Sequence, residues 1–192
     1  MAAGAGSCKL CRLHEKRTRV VFASGDPYAE LVFIGEGPGA DEDASGEPFV
    51  GASGRLLNKM IEAMGYQRSE VYVCNVVKCR PPENRKPAPN EVDACKPYLI
   101  SQLEHVKPKV IVALGQTAGE VLVPKLFSKF GDVRGKVFDL PSGAKLIPTF
   151  HPAYCLRVPK SKATVWEDLK IACGILGKTP INMGSGRAQA TN

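Results

Sequence analysis

The stretch ELVFIGEGPGADEDASGEPFVG, residues 30–51, decides the fold and raises the chemical question. Its opening, ELVFIGE, is a short apolar run bounded by turn residues, as a buried strand is. The segment from Gly35 onward is rich in glycine and carries Glu36, Asp41, Glu42, Asp43 and Glu47. A glycine loop after a buried strand commonly cradles phosphate, but this one does not suit an anion. A Walker loop needs Gly-Lys-Ser/Thr, and GEGPGAD has no lysine. The dinucleotide fingerprint G-x-G-x-x-G is not met either, because Gly35, Gly37 and Gly39 are followed by Ala40. The glycines are better read as allowing close backbone approach, with N–H groups facing a polar, uncharged ring.

Working outward, VYVCNVVK (71–78) and KVIVALG (109–115) repeat the pattern of a short buried strand, and KLIPTFHP (145–152) is a strand ending in a turn. Helical signals lie between them. Leu56, Leu57, Met60, Ile61 and Met64 recur at helical spacing within 51–66. Asn90 is placed to cap a helix over 91–106 that contains Pro97. QTAGEVLV (116–123) reads as a short helix and 162–176 as the last one. Residues 79–90, with four prolines, read as a loop. So does 124–144, with a small strand or hairpin near KVFDL. Residues 1–7 are expected to be flexible. One domain is expected over 1–178, with a disordered tail at 179–192.

Apolar strands alternating with helices imply an α/β protein: a three-layer α/β/α sandwich around a parallel sheet covered on both faces. Ligands of such sheets bind beyond the carboxyl ends of the strands. The acidic loop, Asn75 and His151 each follow a strand end, so they are expected to converge.

At 192 residues the chain can bury a sizeable core. No stretch reaches the ~18–20 apolar residues of a membrane span. The N-terminus MAAGAGSCKL has no apolar h-region, so the expected location is cytoplasmic, with no membrane partner. Lys and Arg number 26 against 19 Asp and Glu, a net charge of +7 that points to a polyanion partner. The seven cysteines are an odd count in a reducing compartment, which argues against a disulfide framework. Cys8 and Cys11 form a C-x2-C, and Cys79 and Cys95 a C-x15-C. Four thiolates in this pattern suit a [4Fe–4S] cluster or structural zinc, and spacing alone leaves both open. Cys74, Cys155 and Cys173 read as packing residues.

Taken together, GEGPGADEDASGEPFVG, NVVKCRPPENRKP, ALGQTAGEVL and FHPAYCLR resemble the motifs of the iron–sulfur uracil-DNA glycosylases, the fourth family of that superfamily. The resemblance spans roughly residues 8–175 and includes the order and spacing of the four cysteines. It implies a [4Fe–4S] cluster on Cys8, Cys11, Cys79 and Cys95, a four-stranded parallel sheet, and a monofunctional glycosylase that flips uracil out of single- or double-stranded DNA. It implies catalytic roles for Glu36, beside the developing sugar cation, and for His151, donating to uracil O2 as a neutral imidazole. It places Gly37 against O2, Glu42 near C5 where it excludes the methyl of thymine, Phe49 on the ring face, and Asn75 on the N3–H and O4 edge. The remaining acids of the loop are read as solvated or loop-terminating. Asn84 is a further water-positioning candidate. Residues 153–157 are read as a loop probing the minor groove, with Leu156 as the wedge and Arg157 as a DNA contact. Lysines and arginines of RPPENRKP and LRVPKSK would hold phosphates.

A related branch attaches covalently to DNA through a histidine in an inserted basic loop after the second strand. Residues 79–91 contain no histidine, so turnover is expected, by a monomer. The alternatives are a non-catalytic iron–sulfur or zinc nucleic-acid-binding module and a nucleotide-binding α/β enzyme. The first gives no reason for Glu36, Asn75 and His151 at strand ends. The acidic loop disfavours the second.

Overall fold

The computed structural model describes residues 2–124 and 129–181. In chain order the elements are α1 (Ala2–Gly6), β1 (Ala23–Gly25), β2 (Leu31–Gly35), α2 (Ala40–Ser45), α3 (Ala52–Ala63), β3 (Tyr72–Asn75), α4 (Pro89–Val106), β4 (Val110–Leu114), α5 (Gln116–Leu122), α6 (Phe130–Val133), β5 (Phe138–Asp139), β6 (Lys145–Thr149), α7 (Pro152–Arg157) and α8 (Ser161–Leu176).

The sheet runs β1-β3-β2-β4-β6-β5. Its centre, β3-β2-β4-β6, is parallel, as the apolar runs required. Two short antiparallel strands extend it, β1 on β3 and β5 on β6. β1 was not expected, because Ala-Ser-Gly offers no apolar run. It forms by pairing with the already buried β3.

The two faces separate by the period-two rule. Val32, Ile34, Ile111 and Ala113 pack with Leu99 and Val106 of α4 and Ala118 and Val121 of α5. Leu31, Phe33, Val110 and Val112 pack with Leu57 and Ile61 of α3 and Val165, Leu169 and Ala172 of α8. These are the two helical layers of the sandwich. Cys74, Cys155 and Cys173 are fully buried among these side chains.

Several local expectations are corrected. The acidic loop contains a helix, α2, whose first turn holds Asp41, Glu42 and Asp43, where carboxylates favour the helix dipole. Helix α4 begins at Pro89, with Ala88 as its N-cap, and the Glu91 carboxylate accepts from the Ala88 N–H at 2.7 Å. Asn90 therefore lies inside the first turn. Residues 2–6 form α1, with Ala5 buried. The Ile181 N–H donates to the Ala63 carbonyl at 2.9 Å, so residues 179–181 run against the body of the protein. Residues 182–192 lie outside the described residues. Among the described residues, no helix is long and apolar enough to cross a membrane.

Candidate active site

β2 and β3 are in register so that Gly35 stands beside Asn75, and β4 and β6 so that Leu114 stands beside Thr149. Glu36 and His151 lie one and two residues beyond these tips. The Gly115 N–H donates to the Thr149 carbonyl at 2.8 Å, and the Thr149 hydroxyl donates to the buried Asp168 at 2.5 Å. These bonds fix the chain just before His151. The result is one cavity of about 580 Å³ at the carboxyl edge of the sheet. Glu36, Gly37, Phe49, Asn75 and His151 all line it, as do Glu42, Asn84 and Arg157. Leu156 does not; it is exposed on α7.

Asn75 is 1% exposed, and its Oδ1 has no hydrogen-bond partner among the described residues. A buried acceptor left unpaired costs about 1–3 kcal/mol, which a ligand N–H would recover. The absence of a side chain at Gly35 makes room for it. A Cβ there would lie 2.4 Å from Asn75 Oδ1 and 2.5 Å from Phe49 Cζ.

Phe49 is buried with φ of 58°, a left-handed conformation uncommon for a bulky residue. It is held from both sides. Arg68 donates to the Pro48 carbonyl at 2.7 Å while also bonding Ser24 and Asn58. Glu42 accepts from the N–H groups of Val50 and Gly51, each at 3.0 Å, through Oε1. Gly54 completes the cradle, since a Cβ there would sit 1.8 Å from the Phe49 carbonyl oxygen. So held, the Phe49 ring stacks on His151, centroids 5.5 Å apart and planes at 28°.

Glu42 also accepts from the Gly39 N–H at 3.0 Å through Oε2. Both its oxygens are therefore committed to backbone, and it shapes the cavity through its bulk and the loops it ties. Asp43 is buried too, accepting from Thr18 N at 2.9 Å and Arg19 N at 3.4 Å, so it is neither solvated nor a loop terminator. Asp41 and Glu47 are exposed. Two of the five acids, Glu42 and Asp43, are thus architectural, while Glu36 faces the cavity.

The Glu36 carboxylate accepts a hydrogen bond from Thr117 Oγ1 to Oε2 at 2.6 Å. Thr117 was not singled out in the sequence. Its only signal is its position two residues beyond Gly115, at another strand tip. His151 accepts from the Ala153 N–H at Nδ1, 3.1 Å, which puts its proton on Nε2. Burial, then the charge of Arg157, pushes its pKa down to about 4 against a weaker opposing pull from Glu42. The ring is a neutral donor at neutral pH.

Residues 152–157 form helix α7, where a loop was expected. Glu83 and Asn84 both have left-handed φ of 55°. Arg80 donates to Asn84 Oδ1 at 2.8 Å, and Arg85 bridges both oxygens of Glu91 at 2.7 and 2.8 Å, tying the proline-rich loop to α4.

Cys8, Cys11, Cys79 and Cys95 line one small pocket away from this cavity. Lys78 N donates to Cys95 Sγ at 3.3 Å, and Arg17 to Cys79 Sγ at 3.2 Å. Burial pushes both thiols up, Cys95 to about 11. Among the described residues, no three His, Cys, Asp or Glu side chains stand as a ready metal-ligating group. The donor set itself, four soft sulfurs with one backbone N–H and a guanidinium turned toward them, fits an iron–sulfur centre.

Residues 22–170 match the family model of the uracil DNA glycosylase superfamily. The chain is 46% identical over 173 residues to a type-4 uracil-DNA glycosylase of Thermotoga maritima, covering 89% of this chain and 90% of that one. It is 43% identical over 178 residues to the type-4 enzyme of Archaeoglobus fulgidus, covering 90% and 89%. The crystal structure of Pedobacter heparinus SMUG2 superposes with a TM-score of 0.49 at 11% identity, over 76% of this chain and 74% of that one. The family match spans most of the chain and both strand pairs that carry the cavity, so the protein belongs to the uracil-DNA glycosylase superfamily.

Proposed function

We propose that the protein is a uracil-DNA glycosylase that hydrolyses the N-glycosidic bond of uracil flipped out of DNA, leaving an abasic site. The observation that carries this reading is the unpaired Asn75 Oδ1 in the cavity floor. Uracil presents N3–H there, and cytosine presents a bare N3 acceptor. Acceptor against acceptor leaves both unpaired, at about 1–3 kcal/mol per group. Phe49 supports the ring face, and Gly37 gives close backbone approach at the O2 side.

Bond breaking leaves negative charge on uracil and positive charge on the sugar. The His151 Nε2–H is a preorganised donor for O2 that needs no proton transfer. Glu36, fixed by Thr117, is the anion that stabilises the sugar cation and positions the water. Water adds to C1′ and gives up its proton, and the departing pyrimidine takes one, so charge balances with no lyase step. Asn84, which also lines the cavity, would be a second water-positioning group. Arg157 and the exposed Leu156 face the DNA, and the net charge of +7 supports phosphate contact.

Cys8, Cys11, Cys79 and Cys95 would hold a [4Fe–4S] cluster. Such a group would supply a cross-link between the N-terminal segment, the start of the proline-rich loop at Cys79 and helix α4 at Cys95. Visible absorption and iron content test it, and a colourless protein carrying zinc refutes it.

The test of function is incubation with an oligonucleotide containing one uracil, followed by alkali. Strand cleavage at uracil, with none at cytosine or thymine and no adduct surviving denaturation, is expected. Binding without cleavage would make the protein a non-catalytic module.

A further inference from the structure

Lys78 is 2% exposed and among the largest fully buried side chains, yet nothing in the proposed chemistry uses it. A lysine in a core needs partners, and this one has them. Its Nζ donates to the backbone carbonyl of Asn75 at 2.6 Å and to Gln102 Oε1 at 2.5 Å. Gln102 in turn donates through Nε2 to the Phe22 carbonyl at 3.1 Å and to the Tyr72 hydroxyl at 2.9 Å. The Lys78 backbone is equally engaged. Its N–H donates to Cys95 Sγ and its carbonyl accepts from Val21 N at 2.8 Å.

The chain leaves the sheet at Asn75, and this is where the lysine takes hold. Between the two residues, Val76 N–H donates to the Gly35 carbonyl at 2.9 Å and Val77 N–H to the Glu36 carbonyl at 3.1 Å. The segment 75–78 therefore carries Asn75, braces the backbone of Glu36, and ends on the cysteine pocket, whose wall Lys78 shares. A methionine would fill the same space without a polar group to satisfy. What the lysine adds is the bond to the Asn75 carbonyl and the bond to Gln102.

We propose that Lys78 is a positioning residue for Asn75 and that, through its backbone amide on Cys95, it makes the cysteine corner part of the support of the base pocket. The inference rests on Asn75 reading the base. It links two sites served by one short segment, the base cavity lined by Asn75 and the cysteine pocket lined by Lys78 and Cys79.

A double-mutant cycle on the iron-loaded, full-length protein tests it, using single-turnover excision from a uracil oligonucleotide. Lys78→Met is expected to slow excision about tenfold in the wild-type background and less than about twofold in Asn75→Ala, because coupled neighbours are not additive. Hydrogen exchange is expected to quicken over residues 75–78 and stay unchanged over β4. Equal losses in both backgrounds, or wild-type excision and exchange in Lys78→Met, overturn the proposal. If Asn75→Ala itself excises at the wild-type rate, the base-reading assignment falls instead. Should Lys78→Met fail to fold, Gln102→Leu, which removes one of the two acceptors, is run through the same cycle with the same criteria.

Discussion

Thr117 Oγ1 donates to Glu36 Oε2 at 2.6 Å, joining the first turn of α5 to the tip of β2 across 81 positions of sequence. Hydrogen bonds to a carboxylate are among the stronger ones, about 1.5–3 kcal/mol, and this one fixes which way the carboxylate faces. Thr117→Val keeps the shape and removes the donor. It is expected to lower the single-turnover rate of uracil excision about tenfold with little change in DNA binding. Glu36→Ala is expected to cost about 10²–10⁴-fold. A Thr117→Val enzyme with wild-type turnover would show that Glu36 needs no such brace.

The proton on His151 sets the pH behaviour. Its folded pKa, about 4, lies below the ordinary histidine value of 6.5. The unfolded chain therefore binds a proton the folded protein refuses. The stability this group contributes is complete above pH 6.5 and is lost as pH falls from 6.5 toward 4. Excision is expected to show no inflection near 6.5, and NMR titration of the ring is expected to show it neutral down to about pH 5. A ring that charges at pH 6–7 would contradict the neutral-donor role. His151→Ala is expected to slow excision about 10²–10³-fold, the range for losing one preorganised donor.

The central strands were legible because each is a short apolar run between turn residues, and their tips named Glu36, Asn75 and His151. What escaped was whatever depends on distant partners. Thr117, Arg68 and Lys78 look like ordinary polar residues until folding sets them beside Glu36, Pro48 and Gln102. β1 exists only because β3 offers an edge. Helix α2 was readable but hidden by the glycines that flank it: Asp41, Glu42 and Asp43 are the acidic first turn of a helix. The bracing role of Glu42 escaped for the same reason, since three backbone N–H groups claim its oxygens.

The two-sided hold on Phe49 makes Glu42 and Arg68 testable together. Glu42→Gln turns an amide N–H₂ toward either Gly39 N or the Val50 and Gly51 pair, where only an acceptor fits. It is expected to cost about 1–3 kcal/mol and lower Tm by several degrees. Arg68→Met frees the Pro48 carbonyl from the other side. Both are expected to raise KM for uracil-containing DNA and to weaken discrimination against thymine, because the ring under the base is no longer fixed. Unchanged Tm and unchanged selectivity in both variants would show that Phe49 holds its left-handed backbone without them.

The tightest constraint falls on Gly35. An alanine Cβ would lie 2.4 Å from Asn75 Oδ1 and 2.5 Å from Phe49 Cζ, closer than non-bonded atoms approach. Both obstacles are side-chain ends, so the fold can yield, but only by moving the groups that meet the base. Gly35→Ala is therefore expected to fold with a Tm within a few degrees of wild type and to lose about 100-fold or more in uracil excision, the scale of a misplacement near 1 Å. Measured beside it, Gly143→Ala is a control. Its φ of 85° makes it strained, but nothing lies within 4 Å of the added carbon and the site is remote from the cavity. Excision by Gly35→Ala at the wild-type rate would mean that the Asn75 amide and the Phe49 ring need not sit where they do, and the reading of the cavity as a uracil pocket would fall with it.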